Sequence, residues 1–323
     1  MFLKRSISLE PGFSRVGNVL RIQGCETLVE RPLRAVQLAS QHQLKLEKQT
    51  KTWLHELGTI EPSKARDDLT EIMRSPFATR GIRLMSQTGL LENLLPELEA
   101  CRGVEQFGGF HHLNVLEHSI EALERLIATF PNSNLETRWA TLLHDIGKPV
   151  AKSWDVVRER WSFFAHDQIG AKVSREMLSR FEYDENLIHR VSRMVDRHML
   201  RLPSDQTSAA RFVRRNLEIL PELLEVMLAD REAARGPASD ESSRRSYQHG
   251  FELVLNAMKQ NSSIKLLLNG EQVMEFLRLE PGKAVGQALE FLKTLQKSGE
   301  LTTLEQAKTA LLEWARIRNS SPR

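Results

Sequence analysis

At 323 residues, with 41% hydrophobic and 27% charged side chains and a formal charge of +3, the chain has apolar material for two or three cores. No window holds 18 uninterrupted apolar residues, so no membrane span and no membrane partner are expected, and the opening MFLKRSISLEPGFSR lacks the apolar stretch of a secretory signal. Two unclustered cysteines, Cys25 and Cys101, suit a reducing, cytoplasmic setting and structural roles.

Aromatics are few and Leu, Ala, Glu, Arg and Lys are abundant, which favours helices; the fold class expected is all-α. Residues 1–105 predict an irregular start and then a helical unit through RPLRAVQLASQH, KARDDLTEIMRS and TRGIRLMSQTGLLENLLPEL. Apolar positions there recur at three and four residues. Asp67 and Asp68 suit the positive end of a helix, and Gly89 and Pro96 mark breaks. Residues 1–51 carry nine Lys or Arg against four Glu, which is either a solvated face or a surface for a polyanion.

Residues 106–235 hold nearly all the polar side chains that a core does not explain. His118, in NVLEHSIEALERLIATF, falls at the edge of a broad apolar helix face; alone it reads as a satisfied core histidine. In TLLHDIGKPVAKSW, Gly147 and Pro149 predict a helix stop that leaves His144 and Asp145 in the last turn, where exposed carbonyls favour a cation. His166 opens another helix, with Asp167 beside it as a candidate N-cap. His198 shares a face with Val191, Met194 and Val195, so it points inward. Asp230 lies on the stripe of Leu223, Val226 and Met227. An unpaired carboxylate there is expensive, so Asp230 calls for a cation, either an arginine or a metal. The stretch GPASDESSRRSYQHG, residues 236–250, predicts a linker, and residues 251–323 a helical tail.

Four imidazoles and two carboxylates, with no thiolate among them, suit one or two divalent ions such as Mn, Fe, Co, Ni or Zn. A carboxylate such as Asp145 can bridge two ions, which would then activate a water and clamp a phosphoryl group.

The order H…HD…H…H…D resembles the HD phosphohydrolase superfamily, and HDIGKP is similar to its central motif. The resemblance implies a metal site of His118, His144, Asp145 and Asp230, with His166 and His198 as the added ligands of two-metal members and Lys148 near a substrate phosphate. FHHLNVLEHSIEAL, WATLLHDIGKP and FFAHDQIGA are closer still to the HD domain of bacterial CCA-adding enzymes and their poly(A) polymerase relatives. The segment TRGIRLMSQTGLLENLLPEL resembles the part just before that domain, and LLNGEQVMEFLRLEPGKAVGQALEFLKTLQKSGELTTLEQA resembles the tail. This implies an HD-domain helical bundle at 106–235, flanked by a helical neck at 1–105 and a tail at 251–323. The family's glycine-rich opening motif and paired aspartates are not found in these residues. Its base-reading Glu-Asp-x-x-Arg stretch is here Glu30, Arg31, Pro32, Leu33 and Arg34, in which a donor-only guanidinium replaces an acceptor carboxylate.

From these features the expected function is a metal-dependent phosphohydrolase acting on 2′,3′-cyclic phosphates, nucleotides or RNA 3′ ends, without CCA addition. Asp145 and Lys148 would be catalytic, Lys148 would meet the phosphate, and His111 and His112 would line the pocket mouth or serve structure. The substrate would be a phosphate ester or nucleotide, and the basic neck would hold tRNA or another RNA. The alternatives are a non-catalytic tRNA- or RNA-binding protein derived from a CCA-adding enzyme, and an HD-type di-iron oxygenase.

Overall fold

Residues 6–22 alternate apolar and polar side chains around Pro11–Gly12 and Gly17–Asn18, the pattern of short strands joined by tight turns. The computed structural model describes residues 6–24, 26–105, 113–234, 241–262 and 266–320. In place of the irregular start it has β1 (Ser6–Glu10), β2 (Phe13–Val16) and β3 (Val19–Ile22), paired antiparallel, with β4 (Lys45–Leu46) parallel to β3. Phe13, Leu20, Ile22 and Leu46 bury one side of this sheet. The remainder is mostly helical, as expected.

Helices α1 (Glu26–Glu30), α2 (Arg34–Gln41), α3 (Lys48–His55), α4 (Pro62–Arg74), α5 (Ala78–Gln87), α6 (Leu90–Leu94) and α7 (Pro96–Glu99) follow in the N-terminal part. Next come α8 (Val115–Thr129), α9 (Leu135–Leu143), α10 (Lys148–Ala151), the hairpin β5 (Ser153–Asp155) and β6 (Arg160–Ser162), α11 (His166–Arg180) and α12 (Glu185–Arg197). The chain continues through α13 (Gln206–Asn216), α14 (Glu222–Ala233), α15 (Glu241–Ser262), α16 (Gly270–Leu277), α17 (Lys283–Lys297) and α18 (Leu304–Ser320). Among the described residues no helix is long and apolar enough to cross a membrane.

The chain divides into two compact units, one of Met1–Leu202 with Arg214–Gln248 and the other of Pro203–Val213 with His249–Arg323. In the first, α9 is the central helix: Leu135, Trp139, Ala140, Leu142 and Leu143 are all buried. It packs against α8, α12 and α14, and side-chain caps from Asn114, Asn134 and Asp184 start α8, α9 and α12 by accepting a backbone N–H. Arg138 projects from the same helix into the interior and donates to Met73 O (2.8 Å), Ser75 O (2.9 Å) and Pro131 O (3.0 Å). It thereby satisfies carbonyls left over at the C-terminal end of α4. In the second unit Leu268, Val273, Val285, Ala288, Leu292 and Leu311 form the core, and Asn269 and Gln272 close a capping box on α16.

Two boundaries differ from the sequence expectation. Residues 241–250, expected as linker, begin α15. The breakers Gly236 and Pro237 lie outside the described residues, and residues 241–262 hold no proline, so a helix can run through them. Pro149 does not stop a helix either: α9 ends at Leu143, and Pro149 occupies the first turn of α10, where its missing N–H is harmless.

Candidate metal centre

Five elements of the first unit bring the six expected donors together. His118 projects from the first turn of α8, His144 is the C-cap of α9 with Asp145 next to it, and His166 is the first residue of α11. His198 is the C-cap of α12, and Asp230 lies in the last turn of α14. The four histidines and Asp145 are buried, while the Asp230 side chain is 24% exposed. The imidazoles follow one another edge to face, His118 to His144 to His198 to His166, with centroids 5.2, 5.2 and 5.3 Å apart.

Asp145 sits between two groups of nitrogens. Its Oδ2 lies 3.2 Å from His144 Nε2 and 3.7 Å from His118 Nε2. Its Oδ1 lies 3.3 Å from His166 Nε2 and 3.9 Å from His198 Nε2. Asp230 Oδ1 completes the first group, 2.9 Å from His118 Nε2 and 3.4 Å from His144 Nε2. In each of the triads His118/His144/Asp145 and Asp145/His166/His198 the donor atoms lie within 4.8 Å of one another, close enough for one ion. Asp145 is common to both triads.

The local backbone sets the state of these rings. The Nδ1 atoms of His144, His166 and His198 face the carbonyls of Thr141, Phe163 and Val195, each three residues back, at 2.8, 2.8 and 2.7 Å. A carbonyl only accepts, so Nδ1 carries a hydrogen in all three and Nε2 turns to the centre. Nε2 of His166 and of His198 is buried without a hydrogen-bond partner. Two orphaned lone pairs beside a carboxylate are expensive for a bare polypeptide and suited to a cation.

The electrostatics agree. Burial opposes charge on His144, yet the carboxylates of Asp145 and Asp230 override it and push the imidazole up to about 10. Burial likewise works against ionised Asp145 and Asp230, but His144 (with Lys148 for Asp145 and His118 for Asp230) holds both well below the usual carboxylate range. His198 is pushed down to about 4 by burial and by the charge on His144. The pocket thus favours positive charge between two carboxylates and leaves the His198 imidazole neutral. The donor set fits a divalent metal ion.

Two further details depart from the sequence reading. Lys148 donates to Asp145 Oδ2 at 2.6 Å, buried, with its ammonium 5.6 Å from the Phe163 ring centroid. Asp167 lies inside the first turn of α11, and the N-cap position is taken by Ala165 in a left-handed conformation (φ 57°). His111 and His112 lie outside the described residues.

Sequence reasoning also missed a cleft of about 470 Å³ in the N-terminal part, lined by Lys45, Lys51, Arg80 and Arg83 together with Thr79 and Gln87. Arg80 donates to Leu44 O at 2.6 Å and Arg83 pairs with Glu117, so these cations are held in place. Lys45 and Lys51 belong to the basic stretch noted in the sequence, but the two arginines join them only through the fold. At the neck, Arg31 pairs with Asp68, while Arg34 donates to Glu10 through Nε (2.7 Å) and Nη2 and to Gln37 Oε1 (2.7 Å).

Residues 109–235 match the family model described as HD domain, and residues 44–102 match that described as probable RNA and SrmB-binding site of polymerase A. An A-adding tRNA nucleotidyltransferase of Deinococcus radiodurans is 44% identical over 253 residues, 78% of this chain and 58% of that protein. A CC-adding tRNA nucleotidyltransferase of Thermus thermophilus is 37% identical over 251 residues, 78% of this chain and 56% of the relative. The chain thus spans a little over half the length of these relatives. A solved Thermotoga maritima CCA-adding enzyme complexed with tRNA superposes with a TM-score of 0.45 and 17% identity over 92% of this chain and 64% of that one, too distant to bear on function.

These names overturn the phosphohydrolase expected from the donor set and the HD resemblance. Both relatives are named for nucleotidyl transfer to tRNA, and neither for hydrolysis. The chain carries an HD domain behind a polymerase-A-type RNA-binding segment and is a relative of the tRNA nucleotidyltransferases.

Proposed function

We propose that this chain holds tRNA for nucleotidyl transfer at its 3′ end. The observation that carries the reading is the 44% identity with an A-adding tRNA nucleotidyltransferase along 78% of the chain. The cationic cleft supports it. Lys45, Lys51, Arg80 and Arg83 converge within the RNA-binding segment, and fixed cations in a cleft are what a phosphate backbone requires.

In the same proposal His118, His144, Asp145 and Asp230 would hold one divalent ion, and His166 and His198, with Asp145, would hold a second. Mn, Fe, Co, Ni and Zn all suit these nitrogens and oxygens. Bound, such an ion supplies Lewis acidity toward a phosphate oxygen. The chain's own part is to keep three Nε2 atoms aimed inward through the carbonyls of Thr141, Phe163 and Val195.

Fluorescence anisotropy with labelled tRNA transcripts, repeated across salt concentrations, tests the tRNA reading. Tight binding is expected, with a steep salt slope that becomes shallower by roughly 1–2 when Lys45 and Lys51 are both changed to Glu. Binding no tighter than to a DNA duplex of equal charge, with a slope indifferent to those changes, would refute it. Elemental analysis of wild type and Asp145→Ala tests the ions: the variant should lose metal from both positions.

A further inference from the structure

The hairpin β5–β6 leaves the metal centre just after Lys148 and returns to it just before His166. Phe163, the residue after β6, supplies the carbonyl for His166 Nδ1 (2.8 Å), and its ring lies 5.6 Å from the Lys148 ammonium. Trp154 and Trp161 face each other across the two strands. Their rings meet edge to face, with centroids 5.3 Å apart and planes at 78°, and Trp154 is 51% exposed. The Lys152 ammonium lies 4.5 Å from the Trp161 centroid.

A tryptophan left half in water forgoes much of its burial energy, and this one has exposed apolar company in Val156, Val157 and Phe164. The hairpin is nevertheless well shaped. Asp155 Oδ1 accepts from the backbone N–H of Val157 and Arg158, each at 3.0 Å, and Asp155 Oδ2 pairs with the Arg158 guanidinium at 2.8 Å. Between residues 152 and 164 the cations Lys152, Arg158 and Arg160 outnumber Asp155 and Glu159. A preorganised aromatic face with a lysine against it and a surplus of positive charge is the composition that binds single-stranded nucleic acid: bases stack on the rings, and the cations take the phosphates.

We infer that Trp154, backed by Trp161 and Lys152, is a stacking platform for an unpaired nucleotide of an RNA strand, beside the metal centre. The inference deepens the tRNA reading and rests on it only for the source of the strand. The positive surplus favours a polyanion over an apolar protein surface. The two tryptophans sit at the paired strands, not at the hairpin tip, which suits a stacked base better than a lipid interface.

The test uses the full chain with three probes: a short fluorescein-labelled single-stranded RNA, a tRNA transcript with its unpaired 3′ nucleotides, and the same transcript trimmed to its base-paired end. Trp154→Ala should weaken binding of the first two about tenfold and leave the trimmed transcript within twofold. Trp154→Phe, which keeps a ring, should restore most of the affinity while removing part of the tryptophan quenching that single-stranded RNA produces in the wild type. Equal binding of the short RNA by wild type and Trp154→Ala overturns the platform, as does equal weakening of all three probes. Trp154-dependent binding to phosphatidylserine vesicles, with RNA binding unaffected, overturns it in favour of a membrane. If the short RNA binds through Trp154 but neither transcript binds, the platform stands and the tRNA reading falls.

Discussion

Changing Gly147 to alanine should disable the metal centre without touching any donor. The backbone there is ordinary (φ −78°, ψ −13°), so the demand for glycine is not torsional. A Cβ at this position would lie 2.1 Å from His166 O, 2.5 Å from Gly170 N and 3.0 Å from Gly170 Cα. All three atoms are backbone of the first five residues of α11, so no side chain can rotate aside. Relief requires α11 to move by about an ångström toward ordinary contact distances. Overpacking that side chains absorb costs about 1–3 kcal/mol, and a backbone collision belongs at the upper end or above it, about 3 kcal/mol. For a unit of this size each kcal/mol lowers the melting temperature by about 2–4 °C, so a drop of roughly 6–12 °C is expected. Because α11 begins with His166, the same displacement pulls its Nε2 from Asp145 Oδ1, and metal content should fall with stability. Calorimetry and elemental analysis of Gly147→Ala read both quantities. Gly103→Ala is the control: a Cβ there meets nothing within 4 Å, and the melt should stay within about 2 °C of wild type. If Gly147→Ala melts like the control and keeps its metal, the close approach does not shape the site.

Chelation followed by dialysis should lower the melting temperature of the wild type, and an ion restored at a hundred times its dissociation constant should return about 2.7 kcal/mol; Asp145→Ala should show no such response by differential scanning fluorimetry. Arg138→Met leaves the carbonyls of Met73, Ser75 and Pro131 without their buried donor and should cost about 3–5 kcal/mol in urea unfolding, of which Arg138→Lys recovers a part. Glu10 gives an acid-side signature. Its hydrogen bond from Arg34, against a smaller burial penalty, holds the carboxyl below its ordinary 4.5. A depressed carboxylate stabilises the fold above its unfolded value and loses that contribution as pH falls through the lower folded value. Melting temperatures between pH 6 and 3 should therefore fall less steeply for Glu10→Gln than for the wild type, and equal slopes would remove the Glu10–Arg34 pair from the account.

Two of the candidate donors were legible in the sequence because each breaks a pattern that helical periodicity makes visible. His198 and Asp230 stand on apolar stripes, and a polar group in such a place needs a partner. The carbonyl contacts that aim the histidines follow from their positions at helix ends, but only coordinates show that all three share the same contact. What stayed hidden depends on residues distant in the chain or on weak local signals. The need for Gly147 arises from α11, some twenty residues on. The cationic cleft joins Lys45 and Lys51 to Arg80 and Arg83 across three elements. The strands of residues 6–22 are only four or five residues long, too short to outweigh a helix-rich composition, and the Ser- and Arg-rich start of α15 has linker composition without linker conformation.

The hydrolase expectation failed at a different link. Ligand type and spacing select an ion, and an ion selects phosphate-like ligands, but neither says which bond is broken or made. Lys148 makes the point within the site. Its ammonium is bound to Asp145 Oδ2, the same oxygen that faces His118 and His144. One oxygen cannot serve the ammonium and a divalent ion equally, because the two cations repel at such range. Metal occupancy and the Lys148–Asp145 pair are therefore coupled, and replacing Lys148 with methionine should tighten metal binding if the competition is real. An unchanged or weaker metal affinity in that variant would mean that the lysine shares the site with the ion and leaves Oδ2 to it.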